Sequence, residues 1–431
     1  MSNVRAYRAA LVHCLDDPRA GPGAVAYHPD GLLLVEDGHV AACGDWAALS
    51  PTLAADVPVE HLPDRILTPG FIDTHIHFPQ IDMIAAFSGQ LLDWLEEKTF
   101  PAERAFADRT HADGAAKAFL DELLRNGTTT AMVFGSVHRA SVDALFEAAL
   151  ARDMRLIAGK SLMDFGPDGL ADTAESGRTE TESLIADWSR RGRLGYAVTP
   201  RFALSSSAEQ LTTAGRILHA HDHVWLQTHL AENPEEVAQV ARTYQGSRDY
   251  LDVYDRFGLV TRRSVFAHCI HMTPRSLDRM AETGASIAHC PTSNLFLGSG
   301  LFDLAEADRH GVKTALGTDV GAGTSFSMLT TAAAACNVAQ MKGSPLDPLR
   351  AFYLATLGGA RALGLEDRIG SFTVGCEADF VALDPAATPL LARRLKGISD
   401  IREILFALMV LGDDRVVART WLAGETAHSR D

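Results

Sequence analysis

Apolar and polar residues alternate along the middle of the chain in a pattern typical of an α/β protein. Short apolar runs with the length of buried strands are separated by helical runs such as Ala112–Arg125, Ser141–Arg152 and Pro234–Thr243. The strand-like runs lie near residues 67–75, 128–134, 155–162, 194–201, 224–229, 264–268, 285–289 and 312–318. Eight such strands alternating with helices predict an α/β fold of the (β/α)8 barrel (TIM barrel) type.

Both ends of the chain carry a different pattern, made of short β-like runs separated by turns. Near the start these runs are 9–14, 31–36 and 39–43, and Asp37-Gly38 between the last two favours a hairpin. Near the end, residues 378–383 and 415–422 are also strand-like. We therefore predict that residues 1–67 and 376–431 form one small β-sandwich-like domain beside a barrel of residues 68–375.

Composition narrows the class of protein without identifying it. The 431 residues are 47% hydrophobic and 22% charged, which is ordinary for a globular protein with a sizeable core. The net charge of −16 argues against a general nucleic-acid or anionic-membrane surface. The first ten residues contain no apolar signal core, and the six cysteines form no C-x-x-C pair, so we expect a cytoplasmic protein without a disulfide framework.

The candidate chemistry begins in the first predicted strand, Thr68–His77, which ends in two histidines one residue apart. Side chains alternate between the faces of a strand, so His75 and His77 point the same way and could bind one divalent cation. Three later strand-like runs also end in side chains that can bind a metal, namely His229, His268 and Asp319.

In a (β/α)8 barrel the carboxyl ends of the strands meet on one face, where active sites lie. We therefore predict a metal site formed by His75, His77, His229 and Asp319, with His268 close by. Taken singly, each histidine could be a hydrogen-bonded core residue and Asp319 a helix cap. Four such strand ends in order make that interpretation the weaker one.

A metal in this site would lower the pKa of a bound water molecule towards ~7 and so provide a nucleophile for hydrolysis. Glu232 follows His229 by three residues, close enough to act as a general acid and base without being a ligand. The alternative is a carboxylate at a helix start, because Asn233-Pro234-Glu235-Glu236 looks like a helix N-terminus. That alternative suits Glu235 and Glu236 better than Glu232.

Two rival metal chemistries are less consistent with the sequence. Lys160 ends a strand-like run and, once carbamylated, could bridge two metals, but three histidines and Asp319 already complete a site for one metal. The small zinc deaminases carry an H-x-E motif and a later P-C-x-x-C motif, which Cys290-Pro291-Thr292-Ser293 does not match.

These motifs resemble those of the amidohydrolase superfamily and, within it, of the guanine deaminase family. Pro69–His77, the ends at His229 and His268, and Gly317–Asp319 resemble the superfamily. The resemblance to the narrower family lies in four segments and covers nearly the whole chain: His75–Gln80, Leu92–Glu103, Thr199–Ser205 and Gln227–Asn233.

The resemblance implies hydrolysis of a purine, guanine, to xanthine and ammonia by a homodimer. It implies one zinc ion per chain, with iron as an alternative, on His75, His77, His229 and Asp319. Glu232 and Asp319 would move protons, and His268 would hydrogen-bond the water or a developing oxyanion. The implied substrate-binding residues are Gln80, Arg201, Phe202, His229 and Glu232.

Several interpretations stay open at this level. A related deaminase could act on another purine, a pterin or a triazine, and a barrel of this kind can also serve as a non-catalytic scaffold, although the retained ligands and Glu232 argue against that. Arg201 offers forked donors that suit a carbonyl oxygen, and Gln80 can both donate and accept. For Trp94 and Phe100 we expect core packing rather than direct contact with a substrate.

Overall fold

The computed structural model describes residues 3–87, 89 and 91–430. Within this part of the chain, eight parallel strands form a barrel and follow one another in chain order. The barrel closes where the amide of Asp319 donates to the carbonyl of His75 at 2.8 Å and the amide of His77 donates to the carbonyl of Val320 at 2.9 Å. The barrel strands are Phe71–His77, Thr128–Phe134, Arg155–Gly159, Leu194–Pro200, Trp225–Leu230, Ser264–His268, Ser286–His289 and Lys313–Leu316.

Helices connect these strands, and the three predicted from periodicity are observed as Arg109–Arg125, Arg139–Ala151 and Pro234–Thr243. The further α-helices are Trp46–Leu49, Leu91–Trp94, Phe100–Arg104, Ala174–Trp188, Ala208–Ala220, Tyr250–Asp255, Pro274–Thr283, Pro291–Phe296, Leu304–Arg309, Met328–Met341, Pro348–Leu354, Leu357–Leu363, Pro389–Leu395 and Ile401–Leu411. A short strand, Ser161–Leu162, pairs with the fourth barrel strand. The (β/α)8 architecture is thus confirmed.

The first predicted strand, 67–75, is wrong in its bounds because it combines parts of two strands in different sheets. Val59–Pro69 belongs to the sheet of the chain ends, and the barrel strand starts at Phe71. Gly70 separates them: a Cβ there would lie 2.0 Å from Oγ1 of Thr129, so only glycine permits this close approach. The barrel strand extends to His77, and both histidines therefore belong to it.

Both ends of the chain join in one separate sheet, as predicted. Within the described residues this sheet has seven strands, and Val59–Pro69 pairs antiparallel with Phe380–Leu383 where the two chain ends meet. Asp37 and Gly38 form the predicted hairpin turn. The remaining strands are Val4–Cys14, Val25–Glu36, His39–Asp45, Val417–Leu422 and Glu425–Ser429.

Aromatic rings form much of the core of this sheet. Tyr7 packs edge-on against Phe380 with ring centroids 5.1 Å apart, and Phe380 stacks on Trp421 at 4.4 Å. Residues 1, 2 and 431 of the predicted small domain lie outside the described residues, and its boundaries at 67 and 376 stay a prediction. Among the described helices, none is long and apolar enough to cross a membrane.

Candidate metal centre and active site

A pocket of about 420 Å³, counted to its open mouth, lies at the carboxyl ends of the barrel strands. It brings together most of the residues singled out from the sequence, although they come from positions far apart in the chain. The lining residues are His77, Gln80, Leu91, Trp94, Leu95, Arg201, Phe202, His229, Glu232, Glu236, His268, Leu297, Asp319 and Ala322.

The four predicted metal ligands converge at the floor of this pocket. One potential ligand atom from each of His75, His77, His229 and Asp319 lies within 4.8 Å of all the others. Oδ1 of Asp319 is 3.2 Å from Nε2 of both His75 and His77, and the Nε2 atoms of His77 and His229 are 3.1 Å apart. Ligands held about 2.1 Å from a shared zinc ion would have similar separations from one another.

The protonation of these imidazoles also fits a cation. Burial lowers the pKa of His75, lowers that of His77 to about 4, and holds that of His229 well below its usual value. The carbonyl of Arg201 accepts a hydrogen bond from Nδ1 of His229 at 2.7 Å. The proton of His229 therefore lies on Nδ1, and the lone pair on Nε2 of His229 faces His77. Nε2 of His75 is buried, and its 3.2 Å contact with Asp319 is not aligned as a hydrogen bond. Lone pairs that face one another in this way suit a shared divalent metal.

A second group of residues near the same point is the poorer metal site. His75, His268, Cys290 and Asp319 also come close together. Burial raises the pKa of the Cys290 thiol well above its usual value, which disfavours the thiolate that binds metals.

Lys160, the residue that a binuclear site would need, forms ion pairs with two other carboxylates. It is fully buried, and its Nζ lies 2.6 Å from Oδ2 of Asp172 and 3.2 Å from Oε2 of Glu180. This arrangement is that of a buried ion pair. The structure thus supports the interpretation of Lys160 as a structural residue.

Asp73 connects the first barrel strand to the loop that carries Asp319 through hydrogen bonds. Its carboxylate accepts hydrogen bonds from the amide and hydroxyl of Thr318 and from the amide of His75. Burial raises the pKa of Asp73 to about 7. Asp319 and His268 have φ of +54° and +69°, values that non-glycine residues adopt only uncommonly.

Glu232 lies beside the ligand cluster, as predicted, and is 3% exposed. Its Oε2 is 3.4 Å from Nε2 of His268, and its Oε1 accepts a hydrogen bond from the hydroxyl of Ser299 at 3.2 Å. Burial, helped by the negative charge of Asp319, raises the pKa of Glu232 to about 8. A carboxyl group with a pKa near neutrality can both donate and accept a proton, as a general acid and base must.

The helix that follows Glu232 fixes its backbone. Asn233 and Glu236 form a capping box at the start of Pro234–Thr243, as the sequence pattern suggested. Oε2 of Glu236 also accepts a hydrogen bond from the amide of Glu232 at 3.0 Å, and its Oε1 accepts one from the hydroxyl of Tyr250 at 2.6 Å. Burial, together with the charge of Glu232, raises the pKa of Glu236 to about 7.

His268 stands between Glu232 and Asp319, with Nε2 3.8 Å from Oδ2 of Asp319. Its Nδ1 is 2.8 Å from Oδ1 of Asn294, which can only accept a hydrogen bond, so the ring proton lies on Nδ1. With the ring proton on Nδ1, the lone pair of Nε2 faces Glu232. Sequence reasoning missed Asn294 and Ser299, because neither stands at a strand end or in a charged motif.

The predicted substrate-binding residues lie in the same pocket but are less free than expected. Nη1 of Arg201 donates to Oε2 of Glu103 at 2.6 Å, and Nε2 of Gln80 donates to Oε1 of the same carboxylate at 3.0 Å. One arm of the Arg201 guanidinium is thus bound to Glu103, and its role in substrate binding stays a prediction. Phe202 lines the pocket beside them. Glu103 falls in a segment that resembles the family, yet no spacing rule marked it as functional.

Two aromatic residues expected to serve only as core differ in their surroundings. Trp94 lines the pocket, and its buried Nε1 has no hydrogen-bond partner among the described residues. Phe100 lies under the guanidinium of Arg201, whose Cζ is 5.5 Å from the ring centroid. Phe100 therefore supports a pocket residue from the core, whereas Trp94 contributes to the pocket wall.

The barrel and the residue cluster at its carboxyl end define a hydrolase of the metal-dependent barrel class. Residues 66–427 match the Amidohydrolase family, and the chain belongs to that family. Over 98% of its length and 96% of its relative's, it is 47% identical to the guanine deaminase of Escherichia coli. It is 41% identical to the probable guanine deaminase of Deinococcus radiodurans over 99% of both chains.

Solved structures give the same picture. The guanine deaminase of E. coli superposes with a TM-score of 0.97 over 99% of this chain and all of that one, at 47% identity. The guanine deaminase of C. acetobutylicum, with guanine bound in its active site, superposes with a TM-score of 0.90 over 98% of this chain and all of that one, at 27% identity. These relatives, which cover nearly the whole chain, are named guanine deaminase or probable guanine deaminase.

Proposed function

We propose that this protein is a guanine deaminase, which hydrolyses guanine to xanthine and ammonia. The observation that carries the proposal is the composition of one pocket. The predicted metal ligands and Glu232 lie in the same pocket as the donor groups of Arg201 and Gln80. The relative with 47% identity over nearly the whole chain bears the name of this activity. The related C. acetobutylicum structure holds guanine itself in the active site.

The metal in this proposal is a single zinc ion on His75, His77, His229 and Asp319. Three neutral imidazoles and one carboxylate suit zinc, which is also present in a structural relative with 25% identity. When bound there, the ion would lower the pKa of a water molecule towards ~7 and make it a nucleophile at neutral pH. Iron accepts the same ligands and is the alternative.

The chain's own residues then move the protons. Glu232 takes a proton from the attacking water and gives it to the purine ring, as its raised pKa allows. The water oxygen bonds to C2. Asp319 then assists the transfer of the second water proton to the amino group on C2, which departs as ammonia when the bond from C2 to nitrogen breaks. His268, with its Nδ1 proton held by Asn294, accepts a hydrogen bond from the attacking water through the lone pair of Nε2.

Binding of guanine in this pocket orients C2 towards Glu232. The free donors of Arg201 and Gln80 suit the oxygen at C6, on the side of the ring away from the cluster. Phe202 covers an apolar ring face. Adenine carries an amino group at C6 and no amino group at C2, so it lacks both the acceptor and the leaving group.

A homodimer and a cytoplasmic location complete the proposal. The dimer rests on the family resemblance. The location rests on the sequence and agrees with six cysteines that are all free in the described chain.

The direct test is an assay of purified, metal-loaded protein with guanine, followed through ammonia release and xanthine absorbance. Adenine, cytosine and a pterin serve as comparison substrates. We expect turnover of guanine far above that of the others. Preferred turnover of a pterin or of another purine would replace guanine as the substrate, while absence of turnover with all of them would favour the scaffold interpretation.

A further inference from the structure

Behind the two predicted guanine-binding residues lies a third, buried carboxylate that connects them. Oε1 of Glu103 accepts from Gln80 at 3.0 Å, and Oε2 accepts from Nη1 of Arg201 at 2.6 Å. Glu103 is 1% exposed, Gln80 2% and Arg201 3%, so water cannot replace these bonds. One carboxylate thus uses an oxygen atom for each of its two neighbours.

This arrangement determines which way round the amide of Gln80 lies. Its nitrogen faces a carboxylate, which only accepts hydrogen bonds, and its oxygen accepts from the amide of Gly321 at 3.0 Å, which only donates. A rotated amide would oppose acceptor to acceptor on one side and donor to donor on the other. Among the described residues the second N–H of Gln80 has no partner, and Gln80 lines the pocket, so this N–H can bind whatever occupies it.

Arg201 is fixed in a similar way. Its Nη1 is held by Glu103 and its guanidinium lies over the ring of Phe100, while the side chain lines the pocket. Because arginine has only donors, every N–H that Glu103 does not take is also offered as a donor. The pocket wall formed by Gln80 and Arg201 is thus donor-rich. Glu103 holds Arg201 in place and, together with the amide of Gly321, orients the amide of Gln80.

We propose that Glu103 is a specificity-determining positioning residue, which orients Gln80 and Arg201 so that both donate to the oxygen at C6 of the purine. This inference rests on the proposed function. Glu103 does not touch the substrate but acts through its two neighbours. A purine without an acceptor at C6 would leave these buried donors unpaired, and such unpaired groups are what allow a site to reject an analogue.

The first variant is Glu103→Gln, which keeps the size of the side chain. Its amide has one oxygen for two donors, and its own NH2 must then face either Gln80 or Arg201. We expect the KM for guanine to rise roughly 10–100-fold, as the loss of one buried hydrogen bond predicts, with a smaller change in kcat. Inhibition by hypoxanthine, which keeps the oxygen at C6, should weaken much more than inhibition by unsubstituted purine.

A second variant separates donor orientation from simple support of the fold. In Gln80→Glu combined with Glu103→Gln, the carboxylate and the amide exchange places. The amide now at position 103 would donate to the carboxylate at position 80 and accept from Arg201, while that carboxylate would still accept from the amide of Gly321. Every bond within the network returns, so thermal stability should recover towards the wild-type value. Guanine should still bind poorly, because position 80 has lost the N–H that faced the pocket.

Glu377→Gln is the matched control. This carboxylate is also mostly buried between two arginines, with Nε of Arg155 at 2.9 Å and Nη1 of Arg193 at 3.0 Å, but Arg155 begins the third strand at the opposite end of the barrel. We expect lower stability and an unchanged KM for guanine.

The outcomes separate this inference from the proposed function. Wild-type protein that does not deaminate guanine would overturn the proposed function and this inference with it. Active wild type combined with an unchanged KM in Glu103→Gln would overturn the role of Glu103 alone. The same conclusion would follow if hypoxanthine and purine lost inhibition equally, or if the double variant gained no stability over Glu103→Gln. Should Glu103→Gln fail to fold, the double variant still decides. The proposal expects it to fold again and to bind guanine poorly, and a double variant that also fails to fold would overturn the role of Glu103.

Discussion

Replacement of Glu232 by glutamine should remove proton transfer while leaving the pocket intact. The wild-type carboxyl contacts the hydroxyl of Ser299 at 3.2 Å and Nε2 of His268 at 3.4 Å. A glutamine oxygen can accept from Ser299, and its NH2 can donate to Nε2 of His268, whose proton lies on Nδ1. The amide also has nearly the same size and shape as the carboxyl group, so it fits the same buried position. The folded state therefore loses little.

The expected loss is consequently confined to the reaction. General acid and base catalysis contributes ~10²–10⁴-fold to a rate, which corresponds to about 3–5 kcal/mol in the activation free energy. A residue that both accepts and donates during one turnover falls at the upper end of this range or beyond it. We thus expect kcat for guanine to fall at least ~10²-fold, with metal content and thermal stability close to those of wild type.

The assay is xanthine formation under saturating guanine, together with metal analysis and thermal unfolding of the same preparation. Glu235→Gln provides the matched control, since Glu235 is exposed on the adjacent turn, and its kcat should equal that of wild type. Near-normal turnover by Glu232→Gln would refute the assignment of Glu232 as the proton carrier. Loss of the metal in this variant would instead mean that Glu232 is a ligand.

Three further outcomes are expected. Active protein should contain about one metal ion per chain, and either two ions or activity after complete metal removal would contradict the ligand set. Arg201→Ala should lose guanine turnover with unchanged metal content, and wild type should reject adenine by roughly 10⁴-fold. Equal use of the two bases, or full activity of Arg201→Ala, would argue against guanine as the specific substrate. Light scattering at micromolar concentration should give about twice the chain mass of 46.4 kDa, whereas a single-chain mass would exclude the dimer.

The sequence alone was sufficient for the fold class and for the convergence of the four predicted metal ligands, for a physical reason. Strand and helix periods are local properties, and the carboxyl ends of parallel barrel strands must meet whatever the intervening helices contain. His75, His77, His229 and Asp319 could therefore be placed together without coordinates. Even the helix start at Asn233 followed from local capping chemistry.

Only the tertiary structure decided how these side chains are paired. Glu103 is 98 residues from Arg201 in sequence, and Asn294 is 26 residues from His268, so no local pattern could connect them. The split at Gly70 likewise depends on Thr129, a residue of the neighbouring strand. Periodicity predicts which face a residue occupies, but hydrogen bonding and pKa depend on neighbours within a few ångströms, and only the folded chain brings those neighbours together.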